Sequence, residues 1–397
     1  MTEFTIATFN VKNLIGADQE YYRFEKYTPE EYAWKKDWLA DQILSLDADV
    51  ICFQEVFDRD ALVDVLREVN ARAEALNADV IPDPKRRYAK KAIFRKIGVE
   101  PYPMSGLHWV ANTNDGAPGQ RRPGLAILSR LPVIGEVGAI QDLPVPVKID
   151  FPELGGGDTA GSFTLSRLSR PILKARIKAG NRAITIFNIH FKSKLGEYLR
   201  PAGADFAPEA DLTDYDPLGR ALGELRAATR RMAEAVVLRG LILDELAAGN
   251  PVMAMGDFND SEHAVSSAIV AGERAFKNYS WMRRHDAKTA QDRYSRAENE
   301  AIQAAIAAVR LVSAEKLFIR KSLRDMVFTS AFGGVFESID QILLSQHFNP
   351  ENPSRIGDLE YLSVLNDHLT DGSHPEAPYN KLASDHGQLL AHMRLRD

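Results

Sequence analysis

Cysteine is nearly absent: the 397 residues contain one, Cys52. A lone cysteine excludes an intramolecular disulfide and a Cys-rich zinc site, and inside the apolar run "DVICFQEV" it reads as a small buried hydrophobe. Long apolar runs are missing too, since none approaches the roughly 20 residues a membrane helix needs. The opening "MTEFTIATFNV" lacks the basic and apolar regions of a signal peptide, and no aromatic-rich apolar hairpin stands out, so the expectation is a cytoplasmic protein with no membrane partner. A large charge excess is also lacking. The net charge of −6 is not that of a surface covered for nucleic acid, although carboxylates gathered around a metal would pull the total negative. No repeat of fixed period and no long Pro/Gly/Ser linker divides the chain, which predicts one domain over 1–397. No obligate protein partner is evident.

What is present is ordinary globular material, 45% hydrophobic and 26% charged. Period-2 or continuous apolar runs predict strands at Phe4–Val11, Asp49–Val56, Gly124–Arg130, Arg170–Ile177, Ala183–Phe191, Pro251–Phe258, Ser338–Ser345 and Gly387–Leu395. Helical spacing appears around Trp34–Leu46, Leu62–Val69, Arg220–Ala248 and Ala297–Leu317. Interleaved strands and helices argue for a layered mixed fold. Insertions are expected near 80–123, 141–169, 196–219 and 261–325, where Pro, Gly and Asp are frequent or patterning is weak. The segment Pro84–Lys96, "PKRRYAKKAIFRK", is dense in Lys and Arg with aromatics between them, a candidate for tracking phosphates.

Polar side chains at strand ends carry the chemistry. Asn10 ends the face marked by Phe4, Ile6 and Thr8; Glu55 closes a buried run; His190 follows Ile184, Ile186 and Asn188; Asp257 and Asn259 follow "PVMAM". Asp340 shares an alternating face with Ile342 and Leu344, and a buried carboxylate needs a partner. The candidate partner is His386 of "SDHGQLL". In an extended chain its neighbour Asp385 points the other way, so one of the two can meet a metal while the other meets substrate.

The motifs "TFNVKNL", "DVICFQEV", "GLAILSR", "NIHFKS", "GDFND", "SIDQILLS" and "SDHGQLL", in this order, resemble the endonuclease/exonuclease/phosphatase superfamily over Phe4 to Leu395. The resemblance implies an α+β fold of the deoxyribonuclease type, a four-layer αββα sandwich of two facing mixed sheets flanked by helices, with the site at one edge. It also implies metal ligation by Glu55 with Asn10 and Asp385 beside the ion. Asp257 and Asn259 become a catalytic pair, His386 the catalytic imidazole oriented by Asp340, and His190 a second histidine.

Independently of the resemblance, magnesium or manganese suits these residue types, because hard cations take carboxylates such as Glu55 and Asp385, waters and substrate phosphate. A carboxylate bonded to His386 raises its pKa and favours an imidazolium, a good phosphate clamp and a poor base. The expected division of labour has Asp257 orienting or deprotonating water while His386 and His190 stabilise phosphate; the alternative makes His386 the base. Arg121 and Arg122 are candidate phosphate contacts, with Arg170, Lys192 and Lys194 behind them. Two departures speak against abasic-site cleavage: Lys12 stands where those enzymes have an acid, and Arg122 stands near their active-site tyrosine. The expected function is a metal-dependent phosphodiesterase acting on nucleic acid, DNA or RNA. The alternatives are a phosphomonoesterase or lipid/inositol-type phosphodiesterase, and, from another class, a non-catalytic scaffold.

Overall fold

The structure, a computed structural model, describes residues 2–21, 25–78, 98–113, 121–150, 162–196, 217–272, 285–286, 291–292, 295–322, 327–374, 376 and 380–396. The basic segment 84–96 lies outside them. Strands and helices are numbered in chain order. One six-stranded sheet runs β15 (Gly357–Leu365), β16 (Gln388–Leu395), β1 (Glu3–Leu14), β2 (Val50–Val56), β4 (Arg121–Ser129) and β3 (Leu107–Thr113). The other runs β11 (Leu311–Ser313), β14 (Asp340–Ser345), β8 (Val252–Asp257), β7 (Arg182–His190), β6 (Ser162–Ala179) and β5 (Gly138–Asp150). Each has one parallel pair at its centre, β1 with β2 and β7 with β8, among antiparallel neighbours.

Period-2 alternation assigns each residue to a layer. Phe4, Ile6, Val50, Cys52, Leu125 and Ile127 of the first sheet meet Ile184, Ile186, Met253, Met255, Ile342 and Leu344 of the second in one buried cluster. Leu389, Ala391 and Met393 join it, as the alternation of the last strand predicts. The intervening residues Ala7, Phe9, Ile51 and Phe53 face outward against α1 (Pro29–Leu46) and α2 (Arg59–Ala78). Phe187, Ile189, Val252 and Ala254 pack likewise with α3 (Pro217–Ala247) and α4 (Val265–Ala271). The layers are therefore α, β, β, α, as expected.

Local chemistry sets the helix starts. Thr28 and Glu31 form a reciprocal capping box before α1, with Pro29 in its first turn. Ser295 and Glu298 form another before α5 (Arg296–Ala308). The helical pattern expected over Ala297–Leu317 is broken: α5 stops at Ala308, β11 pairs with β14, and α6 (Ala314–Ser322) follows. Pairing of Leu311 with Ser345 wins over local helical spacing there. Parts of the expected insertions are also regular, since β3, β5 and the start of β6 fall within them. Two short ribbons complete the strands, β9 (His285–Asp286) with β10 (Gln291–Asp292) and β12 (Ser330–Phe332) with β13 (Val335–Glu337). The second ribbon exposes Phe332, Val335 and Phe336, an apolar tip too short to stand out in the sequence. No helix among the described residues is long and apolar enough to cross a membrane.

Candidate active site

The inner faces of the strands change character along their length. Ile6 gives way to Thr8 and Asn10, Cys52 to Gln54, Ile186 to Asn188 and His190, and Met255 to Asp257, so the apolar layer ends in a polar one. Gln54, Asn188 and Thr8 form its first tier: Gln54 Nε2 donates to Asn188 Oδ1 at 2.7 Å, and Thr8 Oγ1 donates to Gln54 Oε1 at 3.2 Å. Asn188 Nδ2 in turn donates to the carbonyls of Phe53 (3.0 Å) and Ala126 (2.8 Å), which ties the two sheets together. Above this tier stand the groups capable of chemistry.

The second sheet supplies three of them from adjacent strands in register: His190 pairs with Asp257 across β7 and β8, and Asp257 with Asp340 across β8 and β14. Gly256 makes this possible. Its φ is 142°, and a Cβ there would lie 2.0 Å from the Ile189 carbonyl oxygen, so "GDFN" needs its glycine for the close approach of β7. Asp257 is buried and held by donors on both oxygens. The Asn259 amide N–H reaches Oδ1 at 2.7 Å, while Asn10 Nδ2 (3.1 Å), Asn259 Nδ2 (3.2 Å) and His190 Nε2 (3.3 Å) surround Oδ2.

The first sheet delivers its residues through irregular backbone. The β1–β2 register shifts between Asn10 and Leu14, and the β2–β4 register between Gln54 and Val56. Glu55 sits in this bulge at φ 63°, with Lys12 at 50° and Asn13 at 53°. Left-handed backbone at non-glycine residues is uncommon and concentrates at functional sites. Here it turns the Glu55 carboxylate toward Asn10 Nδ2 (3.3 Å) and the Asn13 N–H (3.0 Å). Asn10 has its amide orientation set by the Lys12 N–H, which donates to Oδ1 at 3.0 Å.

The loop before β16 completes the site. His386 Nδ1 is 2.9 Å from Asp340 Oδ2, so the expected carboxylate–imidazole pair is formed. Nε2 then faces inward, 3.3 Å from Asn10 Nδ2 and 3.9 Å from Asp257 Oδ2. Burial alone would lower the His386 pKa, but the carboxylates of Asp340 and Asp257 outweigh it and hold it well above the usual histidine value. Burial pushes Asp257 well above the carboxylate range, helped by Asp340 and Glu55 and opposed by His386. His190 goes the other way, held neutral by burial and by the positive charge of Arg170. Asp385 is half exposed, with Lys12 Nζ 3.7 Å from its Oδ2.

The candidate phosphate contacts divide. Arg122 is exposed at the end of β4 where Gly124 pairs with Val56, the same rim as Glu55. The Arg121 side chain lies outside the described atoms. Arg170 lies by His190 with Nη1 3.5 Å from the Phe191 carbonyl oxygen. Lys192 Nζ donates to the Leu195 carbonyl at 2.8 Å and to Ser193, and Lys194 pairs with Glu337, so both ammonium groups bind their own surroundings.

The sequence reading did not single out several supporting residues. Thr329 Oγ1 accepts the N–H groups of Ile339 and Asp340, and Ser384 Oγ accepts the His386 N–H at 3.0 Å while donating to the Asn10 carbonyl at 2.6 Å. His368 Nε2 lies 2.9 Å from the His386 carbonyl oxygen. Lys35, wholly buried in α1, donates to the Leu382 carbonyl at 3.1 Å. Ser384 could have been read from the motif "SDH". The others have no local signal, because their partners are distant in sequence.

Residues 7–386 match the Endonuclease/Exonuclease/phosphatase family. The chain belongs to that family. Its members are phosphoesterase hydrolases, and the residues gathered at the polar edge suit that chemistry. No curated protein sequence matches it. Solved structures similar to it include an endonuclease/exonuclease/phosphatase family protein from Bacteroides thetaiotaomicron (12% identity, TM-score 0.48, covering 100% of this chain and 99% of that one). Truncated Caenorhabditis elegans TDP2 aligns at 13% identity and TM-score 0.45 over 98% of this chain and 97% of its own. The human nocturnin catalytic domain aligns at 14% and 0.46 over 99% and 95%.

Proposed function

We propose that the protein is a divalent-metal-dependent phosphodiesterase that hydrolyses nucleic acid by in-line attack of water. The observation that carries the reading is the convergence of Asp257, held by four donors, with the Asp340–His386 pair and Glu55 at one sheet edge.

The donor set fits magnesium or manganese. Four carboxylates, those of Glu55, Asp257, Asp340 and Asp385, gather against two neighbouring cationic groups, Lys12 and His386, and Asp257, raised first by burial, is driven up further by Asp340 and Glu55. Such crowding is relieved by a hard cation with oxygen ligands. Asp257, Asp340 and His386 also lie close enough to share an ion, but the 2.9 Å Asp340–His386 hydrogen bond already uses Nδ1. Glu55, Asp385 and Asn10 are therefore the better holders. When bound, the ion polarises the phosphoryl oxygen and offsets charge on the leaving group.

The side chains then divide the work. Asp257, with its raised pKa, is suited to orient the attacking water and receive its proton, since a general base works best when its pKa lies near the operating pH. His190, neutral and 3.3 Å away, donates to that carboxylate rather than acting as a second cationic clamp. His386, held as imidazolium by Asp340, places Nε2–H toward the phosphate oxygens. Arg122 and Arg170 extend the positive rim. A second reading, a smaller phosphate ester as substrate, is favoured by a cavity of about 460 Å³ lined by Lys12 and by Asn13, whose N–H donates to Glu55.

The test is hydrolysis with and without Mg²⁺ or Mn²⁺ of plasmid DNA, single-stranded DNA, RNA, bis(p-nitrophenyl) phosphate and a phosphomonoester. Metal-dependent cleavage of nucleic acid supports the proposal; cleavage of the monoester alone overturns it in favour of the second reading. Inactivity on every substrate revives the scaffold. Near-native hydrolysis by Asp257→Asn, with loss of pH dependence in His386→Ala, would make His386 the base.

A further inference from the structure

The segment 380–387, which delivers Asp385 and His386, contains neither helix nor strand, so no backbone ladder fixes it. Side chains hold it from two directions. On the sheet side Ser384 Oγ donates to the Asn10 carbonyl at 2.6 Å and accepts the His386 N–H at 3.0 Å. On the other side stands α1, whose Glu31, Lys35 and Trp38, at i, i+4 and i+7, share one helix face. Glu31 pairs with Lys381 at 2.8 Å, Lys35 Nζ donates to the Leu382 carbonyl at 3.1 Å, and Trp38 packs edge-on against His368 with ring centroids 5.1 Å apart. His368 Nε2 in turn lies 2.9 Å from the His386 carbonyl oxygen. One face of α1 thus grips the loop along its length.

The three grips differ in kind. Lys381 is exposed, and exposed ion pairs contribute little. Trp38 meets His368 through a ring contact. Lys35 is wholly buried, 5.5 Å from the centre of the Tyr27 ring, and among the described residues the Leu382 carbonyl is the one hydrogen-bond acceptor of its Nζ. Lysine is almost never fully buried without a partner, because the ammonium loses its hydration there. Burial, and after it the positive charge of Lys12, pull its pKa down to about 7 against the attraction of Glu55 and Asp385. A methionine would fill similar space without that cost. What Lys35 supplies that a methionine could not is a directed bond to the loop, three residues before Asp385.

We propose that Lys35 is a positioning residue for the metal side of the site, fixing the loop at Leu382 so that Asp385 and His386 keep their places. It rests on the metal-dependent reading above and deepens it. Lys35 acts through the loop, as groups behind a metal ligand do. A purely electrostatic role has the opposite signature, because removing a positive charge near Glu55 and Asp385 would tighten a bound cation.

Lys35→Met, which keeps the length and removes the donor, is compared with the wild-type full chain in two measurements that need no turnover. In hydrogen–deuterium exchange of the metal-free proteins, peptides covering 380–387 are expected to exchange faster in the variant, while peptides from β8 and β14 stay protected. In calorimetric titration with Mn²⁺, the dissociation constant is expected to rise by about tenfold or more, the effect of loosening a group behind a metal ligand. Adding n-propylammonium to Lys35→Ala is expected to restore both. If Lys35→Met does not fold, Lys35→Ala purified in n-propylammonium and then dialysed free of it gives the same comparison. Unchanged exchange at 380–387, exchange raised throughout the chain, or Mn²⁺ held as tightly or more tightly by the variant each overturns the role. A wild-type chain that binds no Mn²⁺ removes the metal-dependent reading, and loop exchange still decides whether Lys35 anchors the loop.

Discussion

Asp257 and Glu55 are both carboxylates at the end of a central strand, each beside a parallel neighbour, yet the backbone presents them differently. The ladder through β7, β8 and β14 runs unbroken to His190, Asp257 and Asp340, so ordinary alternation sets all three on the inner face. The ladder through β1, β2 and β4 breaks just where Asn10 and Glu55 leave it, and three residues there are left-handed. Regular pairing fixes groups that must keep mutual distances, as a base and its neighbours must. A bulge re-aims a side chain by a local change of twist, which suits a carboxylate directed at an ion beside the sheet.

The largest expected effect breaks the regular half. Asp257→Asn keeps the shape and most hydrogen bonds but removes the proposed base, and should lower kcat by roughly 10³-fold, within the range for general base catalysis. Steady-state hydrolysis of bis(p-nitrophenyl) phosphate, with circular dichroism to show an intact fold, checks it. A loss under tenfold would move the base elsewhere in the site.

Next comes the tier joining the two halves. Asn188→Ala removes the side-chain donor to the carbonyls of Phe53 and Ala126 and one of the two acceptors of Gln54 Nε2, which keeps the Cys52 carbonyl. The cost should be about 2–4 kcal/mol, since each buried polar group left unsatisfied costs on the order of 1–3 kcal/mol. Urea unfolding monitored by tryptophan fluorescence measures it. An unchanged midpoint would show that the sheets are held by the apolar layer alone.

This contrast also explains what could be read from the sequence. Asp257, His190 and Asp340 follow apolar residues at even spacing, and period-2 alternation is visible in one dimension. Asp340 on an apolar face called for a cation, and His386 stands 2.9 Å from it. The bulge at Glu55 was invisible, because no glycine marks the left-handed residues 12, 13 and 55. Lys192 and Lys194 looked like phosphate contacts by charge, while their carbonyl and carboxylate partners are set only by the loop's folded path. The helix expected across 297–317 failed for a similar reason, as pairing with a strand more than thirty residues away decided its middle.

A third effect compares two buried carboxylates near β14. Each has one buried oxygen without a hydrogen bond, Asp340 Oδ1 and Glu315 Oε2, but Asp340 has an imidazole on its other oxygen and Glu315 in α6 has none. Burial, helped by Glu262, pushes Glu315 up to about 8. Its folded pKa therefore exceeds its unfolded one, so the unfolded state gives up its proton first and the protein loses stability as pH rises from about 4.5 to 8. Glu315→Gln should remove that loss and be more stable than wild type by about 4 kcal/mol at pH 8 and by little at pH 4.5. Urea midpoints across this window decide it: a difference that does not grow with pH would mean that Glu315 stays ionised.

The smallest effect probes the bulge itself. Lys12 at φ 50° is a long side chain in left-handed backbone, a conformation that costs an L-residue roughly 1–2 kcal/mol. Glycine adopts it freely but loses about 0.5–1 kcal/mol of chain entropy on folding. Lys12→Gly should therefore be neutral to about 1 kcal/mol more stable by urea unfolding, apart from any change in activity. The same substitution at Thr8, buried in the regular part of the same strand, carries the entropic loss, a lost hydrogen bond to Gln54 and the cavity left by its side chain. The sign of the difference between the two variants is the useful quantity. If Lys12→Gly is the more damaging, the bulge is held by contacts of the Lys12 side chain; if Thr8→Gly is, the bulge carries strain that the rest of the sheet sustains in order to aim Glu55.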